Sequence, residues 1–286
     1  MLDVAQEYFY AVQMLSAEKF VVVIPCLNEA AEIFSLVTEI RKLSLHVIVV
    51  DDGSTDATGQ LATSAGAEVI RHEKTQGKGA ALNHGLRFAR EKGFQRALTM
   101  DGDGQHAASD IGNFLSACES AALVVGNRMA NPESMPGLRR FVNRWMSRRL
   151  SKIAGKNLPD TQCGFRSIDL EAWSRCDLQT AHFEVESELL LAFIAAGHAI
   201  KFVPIQVIYK NEQSKISPVR DTLRWWRWLR KAERQFKSAP VKLEVAVPGS
   251  FVPPTSPALH SASKLSRPQA RLFSPTPANH PNETRV

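Results

Sequence analysis

Two carboxylates one residue apart end an apolar run in the segment 97–106, which reads ALTMDGDGQH. Asp101 and Asp103 are separated by a glycine, and Gln105 adds an amide oxygen two residues later. Carboxylate and amide oxygens are the hard ligands that Mg²⁺ or Mn²⁺ takes in proteins, usually together with waters and phosphates. Since an ordinary acidic turn after a strand can have the same sequence, the metal site is a hypothesis that depends on the neighbouring motifs.

Three further polar loops follow apolar runs: IPCLNE at 24–29, VVDDGSTD at 49–56 and KTQGKGAALNHG at 74–85. The second loop places two acids at the end of a buried strand, where a carboxylate without hydrogen-bond donors would cost solvation free energy. A bound nucleobase or ribose is one possible donor for Asp52. Lys78 in the third loop lies between two glycines at the start of a helix, where an ammonium and backbone amides suit a phosphate. Each loop alone is also compatible with a plain helix cap, and the P-loop and dinucleotide-binding patterns are not matched.

The elements that must position these loops alternate between strand and helix. Apolar runs predict strands at 20–25, 46–54, 68–71, 97–101 and 122–128, and helical spacing predicts helices at 28–42, 55–65, 79–92 and 110–121. A strand-like segment at 165–169, a helix around 186–196 and a strand from 199 follow. This pattern predicts an α/β protein with a Rossmann-like, mostly parallel sheet and helices on both faces. The four polar loops are therefore expected at one edge of the sheet.

The composition is that of a globular protein in a reducing compartment. The chain has 286 residues, of which 44% are hydrophobic, and its four cysteines lack the paired spacing of a zinc site or a redox motif. Neither a signal peptide nor a membrane span is predicted, since the longest apolar run, 189–196, is too short to cross a bilayer. We therefore expect a cytoplasmic protein without disulfides.

The net charge of +6 is concentrated outside the acidic body of the chain. Residues 135–156 hold seven basic residues and no acid, and residues 220–237 hold seven basic residues against two acids. The first segment predicts a helix with an apolar and a basic side, and the second combines tryptophan with arginine at helical spacing. Such helices suit the headgroup region of an anionic membrane, although packing of the tryptophan side on the protein body is an equal alternative.

Four parts follow from these patterns. We expect a short helix at 1–18, one catalytic-type domain at 19–219, a basic amphipathic helix at 220–237 and a disordered tail rich in proline and serine at 238–286.

Nine short strings in this order resemble the motifs of the family 2 glycosyltransferases with the GT-A fold. The branch that they resemble is the dolichyl-phosphate mannose synthase-like one, which transfers sugars to polyprenyl phosphates. The strings lie between about Phe20 and Leu229 and are IPCLNE, VVDDGSTD, GKGAALNHG, DGDGQH, GNR, DTQCGFR, FEVESELL, VPI and SKI. The resemblance implies a nucleotide-sugar donor, GDP-mannose or a UDP-hexose, and Mg²⁺ or Mn²⁺ as the cofactor.

The resemblance also implies roles for individual residues. The metal ligands would be Asp101, Asp103 and Gln105. The nucleotide sugar would be bound by Pro25, Leu27, Glu29, Val50, Asp52, Lys78 and Asp101. The acceptor phosphate or the donor diphosphate would be bound by Arg128, Arg139, Asn143, Lys210 and Lys215. The catalytic residues would be Asp101, Asp103 and Arg128. The chain departs from the family pattern at Leu27, Asn143 and Lys210, where an aromatic residue, a small hydroxyl residue and an arginine are usual.

The implied reaction is an in-line displacement that inverts the anomeric carbon. Negative charge builds on the departing diphosphate, and a divalent cation and basic side chains stabilise it. A lipid phosphate acceptor is already ionised and needs no general base. A hydroxyl of a lipid or a glycan would need one, and the candidates are then Glu184, Glu186 and Glu188. We expect His106 and Cys163 to pack or cap rather than to react.

Two alternatives belong to other classes of protein. A nucleotidyltransferase has a similar nucleotide-binding sheet, but the glycine-rich signature expected near its first strand is not in the sequence. A nucleic-acid-binding protein would explain the arginine-rich helices, but the body is acidic and both helices have apolar sides. The preferred prediction is therefore an enzyme at the cytoplasmic surface of an anionic membrane, with a lipid-linked acceptor and no nucleic-acid partner.

Overall fold

The computed structural model describes residues 19–133, 135–208 and 218–238. Four sequence predictions lie outside the described residues: the N-terminal helix at 1–18, the phosphate-binding roles of Lys210 and Lys215, and the disordered tail beyond residue 238.

Seven strands and eight α-helices make up the described part of the chain. The strands are β1 Phe20–Cys26, β2 His46–Asp51, β3 Glu68–Arg71, β4 Arg96–Thr99, β5 Leu123–Asn127, β6 Arg166–Asp169 and β7 Ile200–Pro204. The helices are α1 Ile33–Lys42, α2 Thr58–Ser64, α3 Lys78–Glu91, α4 Ile111–Ala117, α5 Gly137–Ala154, α6 Leu170–Ser174, α7 Val185–Ala195 and α8 Pro218–Ser238. Short 3₁₀ turns flank α4 and follow β5.

All seven strands form one sheet in the order β3-β2-β1-β4-β6-β5-β7. The pairs β1 with β2, β1 with β4, β2 with β3 and β5 with β7 are parallel, whereas β6 is antiparallel to both of its neighbours. The predicted α/β class with a mostly parallel sheet is therefore confirmed. The alternation of strand and helix did not predict that β6 would separate β4 from β5, because strand order depends on contacts between distant segments.

The centre of the sheet is buried on both faces. Strand β1 reads FVVVIPC, and the four consecutive residues from Val21 to Ile24 have no solvent exposure. Helix α3 lies close to this strand, since a Cβ atom on Gly85 would come within 2.5 Å of Val23 Cγ1 and 2.9 Å of Val50 Cγ2. Continuous β-branched runs of this kind suit central parallel strands that are covered by helices. The result is a rigid base for the loops at its carboxyl edge.

Helix α5 buries only part of the apolar side that the sequence predicts: Leu150 is buried, and Met146 and Ile153 pack against the core. Its buried residues are Asn143, Ser147 and Leu150, whereas Leu138 and Phe141 are 78% and 70% exposed. The Ser147 hydroxyl accepts a hydrogen bond of 3.1 Å from the Thr161 amide. The serine side therefore packs on the body through hydrogen bonds, and the apolar residues of the first turns remain on the surface.

Helix α8 packs its tryptophan side on the body. Trp225 is 2% exposed, and its indole Nε1 donates to Ser187 Oγ on α7 at 3.0 Å. Leu229 is also buried, and the Trp145 ring of α5 lies 5.5 Å from the Trp225 ring. Of the two alternatives for this helix, the structure thus favours packing for Trp225 and Leu229. In the described part of the chain, no helix is both long enough and apolar enough to cross a bilayer.

Candidate active site

The acidic loop, residues 101–106, begins directly after β4 at the carboxyl edge of the sheet. The Met100 amide donates to Val23 O at 3.2 Å, which continues the pairing of β4 with β1. The Thr99 hydroxyl donates to Gly164 O at 2.7 Å and fixes the loop 160–165 beside the strand end. These two hydrogen bonds fix the position of the backbone that leads into Asp101. The acidic loop therefore follows the end of the strand, as the position of the apolar run predicted.

The Asp101 carboxylate lies between two basic side chains. Its Oδ1 is 2.6 Å from the Lys78 ammonium, and its Oδ2 is 3.4 Å from Nε2 of the buried His106. Burial alone would raise the pKa of the Asp101 carboxyl, but the charge of Lys78 and the contacts with His106 hold that pKa well below its usual value. A Cβ atom on Gly164 would lie 2.7 Å from both carboxylate oxygens, so only glycine leaves room for Asp101 here.

The Lys78 ammonium also contacts Glu186, which comes from the first turn of α7. The distance from Nζ to Glu186 Oε1 is 2.6 Å. Although burial opposes its charge, the two carboxylates raise the pKa of the Lys78 ammonium above its usual value, so the side chain is a permanent cation. Sequence analysis placed Lys78 and Glu186 in different roles and did not predict their pairing. The string GKG gave the position of the cation, but nothing in the sequence identified its partner.

The start of α3 differs from the open phosphate cradle that the sequence predicts. The Gly77 amide donates to Asp52 Oδ2 at 2.8 Å, and the Ala80 amide donates to Ala181 O at 3.1 Å. A Cβ atom on Gly77 would lie 2.5 Å from Ala181 O, so the segment 180–182 covers this helix end. These two amides are therefore engaged by the protein, and Lys78 contacts carboxylates in this structure.

The rest of the acidic loop is fastened by neighbouring elements. Asp103 Oδ1 accepts the Gln105 amide at 3.0 Å, and the Gln105 carbonyl accepts the Ile208 amide at 3.0 Å. The Gln105 side-chain oxygen is 3.4 Å from Nη1 of Arg139 on α5. His106 packs its ring 5.3 Å from that of Phe165, as predicted for a packing residue. The loop thus connects the sheet to the basic helix α5.

The oxygen donors of this loop fit a divalent cation. Burial and the nearby charge of Asp101 raise the pKa of the Asp103 carboxyl. A bound cation would reduce the repulsion between these two carboxylates. Asp101, Asp103 and Gln105 all lie on one short loop and offer hard oxygen ligands. Among the described residues, no cluster of three or more Asp, Glu, His or Cys side chains could hold a metal ion by itself. The loop would therefore need further oxygen ligands from a bound molecule.

The two acids at the end of β2 are bound by donors of the protein. Asp51 accepts the Ser54 amide at 2.8 Å and Nη1 of Arg71 at 3.0 Å. Asp52 accepts the Gln76 and Gly77 amides at 2.9 and 2.8 Å, and its Oδ1 is 2.7 Å from Nδ1 of His72. Both carboxylate oxygens of Asp52 thus have donors within the protein, and its contact with a nucleobase or ribose stays a prediction. Asp52 fixes the loop that leads to Lys78.

The remaining residues predicted for the nucleotide sugar separate into two groups. Pro25 lies in β1, and Leu27 and Glu29 lie in the loop after it. All three are half-buried, and the Glu29 amide donates to Thr58 Oγ1 at 2.8 Å. A Cβ atom on Gly102 would lie 3.1 Å from Glu29 Cγ, so this loop contacts the acidic loop. Val50, in contrast, is completely buried under α3. Its side chain is packed in the core, and its role in a nucleotide pocket stays a prediction.

Of the residues predicted to bind phosphate, Arg128 is held by the protein itself. Its Nε and Nη2 atoms donate to the two oxygens of the buried Asp160 at 2.8 and 2.9 Å. Asn143 is 6% exposed on the buried side of α5, and Arg139 reaches the acidic loop as described above. Arg139 on α5 thus reaches the predicted metal site, whereas the Arg128 guanidinium is paired with the Asp160 carboxylate.

The three candidate bases differ in their surroundings. Glu188 accepts the amides of Gln179 and Thr180 at 3.0 and 2.9 Å, so it caps a turn. Glu184 lies 3.7 Å from Nε of Arg224 on α8, and Glu186 contacts Lys78. Glu186 is linked to the acidic loop through the Lys78 ammonium.

Arg166 is a buried residue whose role the sequence analysis missed. Its guanidinium has 1% exposure and donates to the carbonyls of Cys163, Glu186 and Thr161 at 2.8, 2.6 and 3.1 Å. It therefore holds the loop 160–165 against the start of α7. The string DTQCGFR contains Arg166, but only the structure shows that its arginine is internal. The neighbouring Cys163 thiol is fully buried, and burial raises its pKa to about 12, which agrees with the expected packing role.

Comparison with known proteins identifies the class to which this site belongs. The model of Glycosyl transferase family 2 matches residues 21–175. A UDP-N-acetylglucosamine–dolichyl-phosphate N-acetylglucosaminyltransferase of Methanococcus voltae is 30% identical, over 68% of this chain and 87% of the relative. A polyprenol monophosphomannose synthase of Mycolicibacterium smegmatis is 29% identical, over 66% and 77%.

The fold is shared with a solved glycosyltransferase. Glucosyl-3-phosphoglycerate synthase from Mycobacterium tuberculosis, crystallised with Mn²⁺, UDP and phosphoglyceric acid, has a TM-score of 0.61 and 21% identity, over 80% of this chain and 83% of that chain. The chain belongs to glycosyltransferase family 2 and is a glycosyltransferase. Its relatives support the branch that uses dolichyl and polyprenyl phosphates, so the resemblance drawn from the sequence is confirmed.

Proposed function

We propose that this glycosyltransferase moves a sugar from GDP-mannose or a UDP-hexose to the phosphate of a polyprenyl lipid, with inversion at the anomeric carbon. The names of the two sequence relatives, which include dolichyl phosphate and polyprenol, support this class of acceptor. The observation that carries the proposal is the contact of Arg139 Nη1 with Gln105 Oε1 at 3.4 Å. It brings the basic helix α5 to the acidic loop, so a second anion can lie next to the donor's diphosphate.

Asp101, Asp103 and Gln105 would hold Mg²⁺ or Mn²⁺. The cation would neutralise part of the charge that builds on the departing diphosphate. Lys78 keeps Asp101 ionised and oriented through its contact of 2.6 Å. Because Gly164 has no side chain, the Asp101 carboxylate can lie against it. The Thr99 hydroxyl fixes Gly164 by donating a hydrogen bond to the Gly164 carbonyl. These residues thus prepare the ligand set before the donor binds.

The acceptor side is basic, and two of the three candidate general bases, Glu186 and Glu188, are engaged by other groups of the protein. In the proposed step, an oxygen of the lipid phosphate attacks the anomeric carbon while the bond to the donor's diphosphate breaks, and the nucleoside diphosphate leaves. The attacking oxygen is already ionised, so no proton must be removed. Glu188 caps a turn and Glu186 is paired with Lys78, which favours an ionised acceptor over a hydroxyl. Arg139 supplies positive charge for the acceptor phosphate.

The exposed start of α5 is the proposed membrane contact. Leu138 and Phe141 are 78% and 70% exposed, and Arg140 and Arg144 are exposed on the same helix. Apolar side chains with flanking arginines suit the boundary of an anionic bilayer. The same end of the helix carries Arg139, so a lipid phosphate would reach the acidic loop from the membrane surface. We place the protein on the cytoplasmic face, because its four cysteines are free thiols as in reducing compartments.

The activity is tested with radiolabelled GDP-mannose, UDP-glucose and other nucleotide sugars, with Mn²⁺ and a short polyprenyl phosphate. One donor should yield a lipid-linked sugar together with an equal amount of nucleoside diphosphate. The matched acceptor without the phosphate, the polyprenol, should give no product. Transfer to the polyprenol but not to its phosphate would favour the hydroxyl alternative. No turnover of any donor would overturn the proposal.

The metal role and the membrane contact need separate measurements. Asp103→Ala should abolish nucleoside diphosphate release while the circular dichroism spectrum is retained, and retained turnover would contradict the metal site.

In flotation at low salt, the protein should rise with vesicles that contain phosphatidylglycerol. It should rise less with neutral phosphatidylcholine vesicles, because surface attraction depends on anionic lipid. A protein that stays at the bottom in both cases does not dock.

A further inference from the structure

We propose that the Lys78 ammonium is a built-in counter-cation of the acidic loop, which makes the divalent cation bind together with the nucleoside diphosphate. The nucleotide-free protein would then bind the cation only weakly. This inference rests on the cation site in the proposed function and adds the order in which that site is filled. It gives Lys78 a positioning and gating role, in place of the direct phosphate contact that the sequence predicts.

The ammonium is held at equal distances by two carboxylates. Its Nζ is 2.6 Å from both Asp101 Oδ1 and Glu186 Oε1, and the side chains of Lys78, Asp101 and Glu186 are 18%, 29% and 6% exposed. The Phe183 ring lies 5.7 Å from Nζ and shields it further. Charges in such a partly buried site interact more strongly than charges on the surface. Lys78 therefore neutralises Asp101 effectively in the absence of any ligand.

This pairing reduces what the loop can offer to a cation. Asp101 Oδ1 is taken by Lys78, and Oδ2 lies 3.4 Å from Nε2 of His106. The cavity that Lys78, Asp101, Gly164 and Glu186 help to line has a volume of about 10 Å³. It has room for roughly one water molecule. A hydrated cation therefore does not fit into the cavity beside Lys78 and Asp101.

Asp103 and Gln105 do not complete a site without help. The part of the chain that the structure describes contains no cluster of three or more Asp, Glu, His or Cys side chains that could hold a metal ion. A nucleoside diphosphate brings phosphate oxygens and at least two negative charges, which offset the positive charge of Lys78 and complete the ligand set. The cation and the nucleotide are therefore expected to bind together, because each supplies charge that the other needs at this site.

Glu186 sets the strength of the effect. It shares the ammonium with Asp101, and its second oxygen, Oε2, is buried without a hydrogen-bond partner among the described residues. Removing the charge of Glu186 leaves the whole ammonium charge facing Asp101 and should weaken cation binding. Removing the charge of Lys78 leaves two carboxylates unneutralised and should strengthen it. If these side chains merely held the loop in shape, both substitutions would weaken binding.

The test measures Mn²⁺ binding by the electron paramagnetic resonance signal of the free ion, with and without UDP or GDP. Wild-type protein should bind Mn²⁺ weakly alone and more tightly with one of the nucleotides. Lys78→Met should increase the affinity for Mn²⁺ alone by about tenfold or more, since one full charge is removed at contact distance. Glu186→Gln should decrease it. The control is Lys92→Met, at the other end of α3 on an exposed pair with Glu68, and should behave as wild type.

The outcomes separate this inference from the proposed function. If wild-type protein binds no Mn²⁺ even with nucleotide, the cation site itself is wrong. If nucleotide-dependent binding is seen but Lys78→Met leaves the affinity for Mn²⁺ alone unchanged or lowers it, the counter-cation role is wrong. Should Lys78→Met fail to fold, Glu186→Gln decides alone: unchanged or tighter Mn²⁺ binding by this variant overturns the inference.

Discussion

Arg128 binds the buried Asp160 carboxylate through three hydrogen bonds: Nε at 2.8 Å, Nη2 at 2.9 Å and the Arg128 amide at 3.0 Å. Asp160 has no solvent exposure, and the side chain of Arg128 is 14% exposed. The pair therefore fastens the turn after β5 to the loop 160–165. That loop carries Gly164, against which Asp101 stands.

Asp160→Asn should destabilise the protein. The substitution leaves the Arg128 guanidinium without its counter-charge, and breaking such a buried pair costs about 3 kcal/mol or more of unfolding free energy. Urea denaturation measures this change. Glu171→Gln is the control, because Glu171 makes its ion pairs with Arg90 and Arg175 on the surface. The control should leave the denaturation midpoint unchanged, and equal shifts in the two variants would contradict the structural role of the Arg128 pair.

The same pair predicts a dependence of stability on pH. Burial opposes ionisation of Asp160, but the charge and hydrogen bonds of Arg128 outweigh it and hold the pKa of this carboxyl below its usual value of 3.8. The stabilisation is complete above the pKa of the unfolded chain, and it is lost as the pH falls through the lower pKa of the folded state. Between about pH 5 and pH 3, wild-type protein should therefore lose more unfolding free energy than Asp160→Asn does. Parallel curves for the two proteins in urea titrations would contradict this linkage.

Gly164→Ala should impair catalysis more than folding. The added Cβ atom would lie 2.7 Å from both oxygens of Asp101 and would displace this carboxylate. A displacement of about 1 Å in a catalytic constellation can lower the rate on the order of a hundredfold. The measurement is nucleoside diphosphate release from the donor found in the screen, together with the thermal midpoint.

The matched control is Gly112→Ala on α4, where an added Cβ meets no atom within 4 Å. Alanine is the better helix former, so this variant should be at least as stable as wild type and equally active. If Gly164→Ala turns over donor as fast as Gly112→Ala does, Asp101 is not positioned by its contact with Gly164.

The sequence predicted the parts of the site that depend on local patterns. The acidic loop lies at the end of β4 because a continuous apolar run ends there, and Arg139 lies near the start of α5 because helical spacing defines that helix. Long-range pairings were not predictable. Lys78 with Glu186 and Arg128 with Asp160 join segments far apart in the chain. No single-sequence pattern reports which buried charges will meet.

Other features that the sequence did not predict have a related cause. Asp52 and Val50 lie at the end of β2, where the sequence predicts a nucleotide pocket, but one is bound by the Gln76 and Gly77 amides and the other is buried under Gly85. Likewise, the buried side of α5 is set by hydrogen bonds of Ser147 with the loop at Thr161. Apolar periodicity alone therefore included the buried Leu150 in the apolar side but did not predict the burial of Asn143 and Ser147.

The exposed start of α5 gives the last prediction, which concerns the membrane contact. Phe141→Asp should reduce flotation with vesicles that contain phosphatidylglycerol, because it removes an exposed apolar side chain and adds a negative charge that the anionic surface repels. Phe34→Asp on α1 is the matched control, since Phe34 is also largely exposed, at 48%. It should float as wild type does, and both variants should keep the wild-type thermal midpoint, as expected for surface positions. Transfer to a water-soluble short-chain polyprenyl phosphate in detergent should also be unaffected in both. If the two variants float equally well, the protein does not reach the membrane through this end of α5.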